Sequence, residues 1–190
     1  MKMIVGLANP GKKYKNNRHN VGSWMINLLS TYYNVFLKKN DYFLSYTSII
    51  KNKNNKIKIV VPNTYINLSG HPVSLIKSFY KIKSKNIFVV HDDMNLDIGI
   101  IKITYGNKYG GHNGIKNILE KINNKKIYRL RIGIGRQKKN ESIKSFVLNN
   151  PNYKEKKKIL KGIKLGLIFF KLLLKFDINK AMHFLKRRKK

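Results

Sequence analysis

The chain has 190 residues, 42% of them hydrophobic, enough for one substantial core, and a single domain is the economical reading. It carries 41 Lys plus Arg against 8 Asp plus Glu, a formal net charge of +33, and such a field favours polyanionic partners, nucleic acid first among them. Cysteine is absent, which excludes disulfides, thiolate metal sites and a cysteine nucleophile and fits a reducing compartment.

MKMIVGL is too short to be the apolar core of a signal peptide. The longest apolar run, Leu165 to Leu174, is interrupted by Lys171 and falls short of the roughly 20 residues of a membrane span, so a cytoplasmic protein is expected. Met3 to Leu7 reads as a short buried strand ended by Asn9-Pro10-Gly11. Asn20 can cap a helix whose apolar positions Val21, Trp24, Met25, Leu28 and Leu29 follow the helical period, which puts Arg18-His19-Asn20 at a helix N-terminus. Tyr42 to Ile50 and Ile57 to Val61, separated by the polar stretch Lys51 to Lys56, predict an antiparallel hairpin that delivers the chain to PNTYINLSG. Ser69 can cap the next helix, with Val73, Ile76, Phe79 and Tyr80 on one face.

Asn86 to Val90 predicts another buried strand, ending at His91-Asp92-Asp93. Ile100 to Tyr105 predicts a strand leading into the glycine loop GNKYGGHNG, and Asn113 to Ile122 a helix beginning where that loop ends. Tyr128 to Ile134 alternates apolar residues with Arg or Gly, the pattern of a half-exposed strand carrying Arg129 and Arg131. Residues 137–152 are polar and irregular, the composition of a mobile flap, and 153–187 should hold a long amphipathic helix marked by Leu160, Ile163, Leu167, Phe170 and Leu174, then a shorter one over Ile178 to Leu185 before the basic tail Lys186 to Lys190. Strands alternating with helices, plus one hairpin, predict a single α/β domain: a twisted mixed sheet flanked by helices on both sides.

Gly6 to Gly11 imitates a dinucleotide fingerprint but has Ala8 at its middle position and no acid about 20 residues on, so a nicotinamide cofactor is rejected. P-loop and serine-elbow patterns are absent as well. What remains is a His, acid and Asn constellation at loop ends. Three of the eight acids, Asp92, Asp93 and Asp97, fall close together. His19 with Asp92 would form a general base and its orienting carboxylate, and Asn9, Asn67 and Asn113 offer amides suited to orienting a carbonyl or stabilising an oxyanion. Taken singly, each Asn is as well explained as a turn former or cap, and a lone His as a surface residue.

In their order and spacing, IVGLANPGKKYKNNRHNVG, PNTYINLSG, VVHDDMNLDIG, GGHNGIKNIL and YRLRIGIGR resemble the bacterial-type peptidyl-tRNA hydrolases over roughly Met3 to Arg136. The resemblance implies a monomeric, cofactor-free and metal-free enzyme occupying residues 1–190, which cleaves the ester between the peptide and the 3′-terminal ribose of peptidyl-tRNA. It makes His19 the general base and Asp92 its partner. Asn9, Asn67 and Asn113 would hold peptide, water and oxyanion, His112 would shape the same pocket, and Tyr14 and Tyr65 would line the cleft. Lys102 and Arg131 are the candidates for tRNA phosphate. The sequence departs from the family pattern at Ile66, where Met is common, at Asn107 to Tyr109, and at Thr104, where relatives often carry a second Lys. Two other readings stand beside it: a divalent ion held by His91, Asp92, Asp93 and His112, and a non-catalytic RNA-binding protein on the same scaffold.

Overall fold

A computed structural model of the chain describes residues 1–52, 55–137 and 139–187. Parts of the hairpin connection (53–54) and of the expected flap (138), and the end of the basic tail (188–190), lie outside the described residues. β1 (Lys2–Gly6), β4 (Asn55–Pro62), β5 (Ile87–Asp93) and β7 (Ile127–Gly133) form the parallel centre of one sheet, and β2 (Lys38–Asn40), β3 (Ser45–Asn52) and β6 (Ile101–Gly106) add antiparallel edges. The order across the sheet is β2-β3-β4-β1-β5-β7-β6.

Side chains alternate across a strand, so β1 sends Ile4 to one face and Met3 and Val5 to the other, while β5 divides Phe88 and Val90 from Ile87 and Val89. Apolar residues on both sides of a strand require cover on both faces. α1 (Val21–Tyr32), α5 (Tyr153–Lys175) and α6 (Ile178–Arg187) cover the first through Met25, Leu29, Ile163, Phe170 and Ala181. α2 (Gly70–Phe79) and α3 (Asn113–Lys121) cover the second through Val73, Ile76, Ile115 and Ile118. The α/β architecture expected from the alternation of elements is therefore the one observed. Among the described residues, no helix is long and apolar enough to cross a membrane.

Several local expectations differ from what is found. β7 is an interior strand between β5 and β6, and Arg129 is buried rather than half-exposed. The hydrophobic face of α5 is rotated from the expected one, leaving Leu160 exposed and burying Ile159, and Phe79 at the end of α2 is exposed as well. Neither Asn20 nor Ser69 caps its helix through its side chain. Residues 143–148 of the expected irregular flap form a short helix, α4 (Ile143–Leu148), with Ser142 as its side-chain cap and Phe146 and Val147 buried.

One close approach fixes the site. A Cβ on Gly22, in the first turn of α1, would lie 2.5 Å from the Leu7 nitrogen and from the Val90 oxygen, and one on Gly6 would lie 2.3 Å from the Gly22 oxygen. Glycine at both positions lets α1 begin against the carboxyl ends of β1 and β5. Leu7 N–H also donates to Val90 O at 3.0 Å, joining those ends just before His91-Asp92.

Candidate active site

Three loops meet at the carboxyl ends of the parallel strands, where open α/β sheets place their ligands. The first is pinned by Asn20, which does not cap α1 because its amide is used on the backbone of Asn9. Asn20 Oδ1 accepts from Asn9 N–H at 2.9 Å, and Asn20 Nδ2 donates to Asn9 O at 3.0 Å. Asn9 Oδ1 in turn accepts from Ile66 N–H at 2.9 Å, fixing the second loop beside Asn67. Gly70 N–H donates to Asn117 Oδ1 at 2.7 Å and ties that loop to α3. In the third loop Gly110 and Gly111 have φ of 60° and 81° with open space where a Cβ would be, so left-handed backbone, not crowding, calls for glycine there.

Asp92 is the centre of the site. Its Oδ1 receives His19 Nδ1 at 2.9 Å and His112 Nε2 at 3.1 Å. His112 Nδ1, as N-cap of α3, accepts from Ile115 N–H at 3.4 Å, which leaves the proton on its Nε2 to be donated to Asp92. His19 likewise donates from Nδ1, so its Nε2 is the free acceptor on the ring. Burial alone would raise the Asp92 carboxyl, but the fields of His19 and His112 and their two hydrogen bonds hold it well below its ordinary range. Burial would lower His19, but the Asp92 charge and hydrogen bond outweigh it and raise the imidazole above its ordinary value. His91 donates from Nδ1 to Asp92 O at 2.6 Å, and burial first and His112 second push it well below the ordinary range, so it is neutral.

A cleft of about 790 Å³ opens over this cluster. Asn9, Tyr14, His19, Tyr65, Asn67, Asp92, His112 and Asn113 all line it, so the eight residues singled out from sequence for catalysis and substrate binding are brought together. Ile66, the departure at the usual Met position, is buried and lines the same cleft. Lys102 and Arg131 do not line it. They are cross-strand neighbours on β6 and β7, and Arg131 Nε donates to Asp93 Oδ2 at 2.6 Å, so Arg131 is an ion-paired group and not a free cation. The alternative metal set of His91, Asp92, Asp93 and His112 is not gathered: Asp93 is held by Arg131. Among the described residues, the group that does converge is His19, Asp92 and His112, with donor atoms within 4.8 Å of one another.

A further wall of the cleft comes from α4, whose Ile143, Lys144, Val147 and Leu148 line it. Sequence reasoning missed it because its polar neighbours masked a short signal: Ser142 before Ile143, then Phe146 and Val147 at helical spacing.

An α/β fold with an imidazole oriented by a buried carboxylate, amide groups around it and a cleft above is an arrangement suited to hydrolytic chemistry. The peptidyl-tRNA hydrolase family model matches residues 3–190, so the match continues through the C-terminal helices beyond the motifs. The chain is 41% identical to the peptidyl-tRNA hydrolase of Yersinia enterocolitica over 184 residues, covering 96% of this chain and 93% of that one. It is 47% identical to that of Buchnera aphidicola over 165 residues, covering 86% and 80%. A crystal structure of the Acinetobacter baumannii peptidyl-tRNA hydrolase superposes with a TM-score of 0.91 at 32% identity, covering 97% of this chain and 94% of that one. The chain belongs to the peptidyl-tRNA hydrolase family, hydrolases that act on an ester bond.

Proposed function

We propose that the protein cleaves the ester between the peptide and the 3′-terminal ribose of peptidyl-tRNA with water activated by His19 and without a metal. The observation that carries this reading is the Asp92 carboxylate held by His19 Nδ1 at 2.9 Å, which fixes the tautomer and leaves His19 Nε2 as a base in the cleft. Nε2 takes a proton from water, and the hydroxide adds to the ester carbonyl carbon. The carbonyl oxygen becomes an oxyanion, which the amides of Asn9, Asn67 or Asn113 are suited to stabilise. Collapse breaks the bond to the ribose oxygen, which receives the proton from the His19 imidazolium. Tyr14 and Tyr65 supply apolar walls with polar tips, suited to the peptide and the terminal nucleotide.

The formal charge of +33 supports tRNA as the polyanionic partner, with Lys102, exposed near the start of β6, a candidate for phosphate. We place the enzyme in the cytoplasm, acting as a monomer in translation and ribosome rescue. A second reading puts a divalent ion on His19, Asp92 and His112, favoured by the proximity of their donor atoms; it requires breaking both hydrogen bonds to Asp92.

The test uses tRNA carrying an N-acetylated amino acid beside the same tRNA carrying the free amino acid, in the presence of chelator. Cleavage of only the acetylated ester, lost in His19→Ala, is expected. A rate that collapses on chelation and returns with Zn²⁺ or Mn²⁺ would select the metal reading. Binding of both tRNAs with cleavage of neither would leave a non-catalytic RNA-binding protein.

A further inference from the structure

Arg18 immediately precedes the base, but its side chain turns away from the cleft and is 8% exposed. Its Nη1 donates to Phe146 O and to Asn149 O, each at 3.2 Å, and its Nη2 donates to Glu155 Oε2 at 2.8 Å. The guanidinium carbon Cζ lies over the Phe146 ring, 4.4 Å from its centre, and the Arg18 backbone N–H also donates to Asn149 O at 3.2 Å. All these contacts except Glu155 lie in the last turn of α4 and its C-cap, where a helix leaves carbonyls unsatisfied and a cation is favoured. Glu155 is no loose partner either: its Oε2 also accepts from Asn152 N–H at 2.8 Å in the capping box that starts α5.

α4 is six residues long, too short to hold its own shape, and one of its sides lines the cleft with Ile143, Lys144, Val147 and Leu148. The turn that presents His19, the α4 wall of the same cleft and the start of α5 therefore share one guanidinium. We propose that Arg18 is a positioning residue that sets the α4 wall against His19, so that substrate is gripped at the distance the base needs. This rests on the reading of the cleft as the ester-cleaving site. It does not work through the basicity of His19, because Arg18 contacts neither Asp92 nor the imidazole. Lysine cannot replace it, since one ammonium cannot span two carbonyls and a carboxylate in a fixed plane while stacking on a ring.

The experiment measures kcat and KM for N-acetylaminoacyl-tRNA across pH for wild type, Arg18→Lys and Glu155→Gln, with the folded fraction of each found by urea titration and amide exchange followed over 141–150. Cleavage by wild type establishes the underlying reading independently. Both variants are expected to lose about tenfold or more in kcat/KM per folded molecule, as small misplacements of reacting groups do. The acid limb of the pH profile should stay in place, and exchange should rise in 141–150 while the sheet stays protected. Unchanged kcat/KM per folded molecule would reduce Arg18 to a stabilising residue and overturn the proposal, as would a displaced acid limb. If Arg18→Lys does not fold, Glu155→Gln decides by the same criteria.

Discussion

At the scale of the residue, Asp92 is shared. One carboxylate oxygen serves two imidazoles, yet the two are not equivalent, because His112 has its other nitrogen committed to the α3 backbone and His19 does not. Of the two, His19 alone keeps a ring nitrogen not engaged by a described residue, which is why the proposed mechanism makes it the base. The pH dependence follows from the sign of its shift. On that proposal the base must be neutral, so kcat/KM should fall about tenfold per pH unit below the His19 pKa, which Asp92 raises above its ordinary value against the effect of burial. Asp92→Asn removes the charge, so the acid limb should move to lower pH. An amide can also present N–H to Nδ1 and turn the ring to the wrong tautomer, so the plateau should fall by about 10²-fold to 10⁴-fold. A pH profile of kcat/KM for the two proteins checks both; an unmoved limb would mean that the titrating group is not His19. The pairing of His19 with Asp92 was legible in the sequence because each stands at the end of an element where few other chemical groups compete. The engagement of Arg131 with Asp93 was not, because a cross-strand contact between neighbouring parallel strands leaves no trace in local spacing.

At the scale of the element, the site depends on how closely α1 approaches the sheet. Its helical period was readable from Val21 to Leu29, but its seat was not, because a tertiary backbone contact is recorded only as a glycine. Gly22→Ala would set a methyl 2.5 Å from the backbone of β1 and β5, with no flexible side chain to yield. We expect a loss of about 1–3 kcal/mol in urea unfolding, the usual cost of overpacking. A further drop in kcat is expected in the remaining folded protein, because His19, three residues before Gly22, is carried by the same displacement. An alanine variant with wild-type stability and rate would show that the contact does not control the site. Asn20 illustrates why cap assignments made from sequence fail here: a side chain able to cap α1 instead satisfies both polar groups of the Asn9 backbone, a pairing with greater leverage on the cleft. β7 was misjudged for a related reason, since Arg at alternate positions imitates a solvent face, whereas β7 lies inside the sheet between β5 and β6 and Arg129 is buried there.

At the scale of the whole molecule, the net charge of +33 attracts any polyanion and so cannot say which cations touch RNA. Salt dependence can, because each phosphate neutralised by a cation releases counterions, and the slope of log affinity against log salt changes by about 0.9 per contact on duplex and about 0.7 on single strand. Lys102 is exposed and makes no ion pair with an acid among the described residues, whereas Arg131 opposite it is closed onto Asp93 at 2.6 Å. A free ammonium joins the phosphate without first losing a partner. A guanidinium already paired must leave Asp93, and the carboxylate left behind would repel the incoming phosphate. Lys102→Ala should therefore lower the magnitude of the slope by roughly one contact. Arg131→Ala should leave the slope nearly unchanged while lowering the melting temperature, because Asp93, 10% exposed, loses its partner. Binding of tRNA to the three proteins across a salt series, with thermal melts beside it, separates the two roles. A loss of slope in Arg131→Ala equal to that in Lys102→Ala would mean that the ion pair opens on binding and that Arg131 reaches phosphate after all.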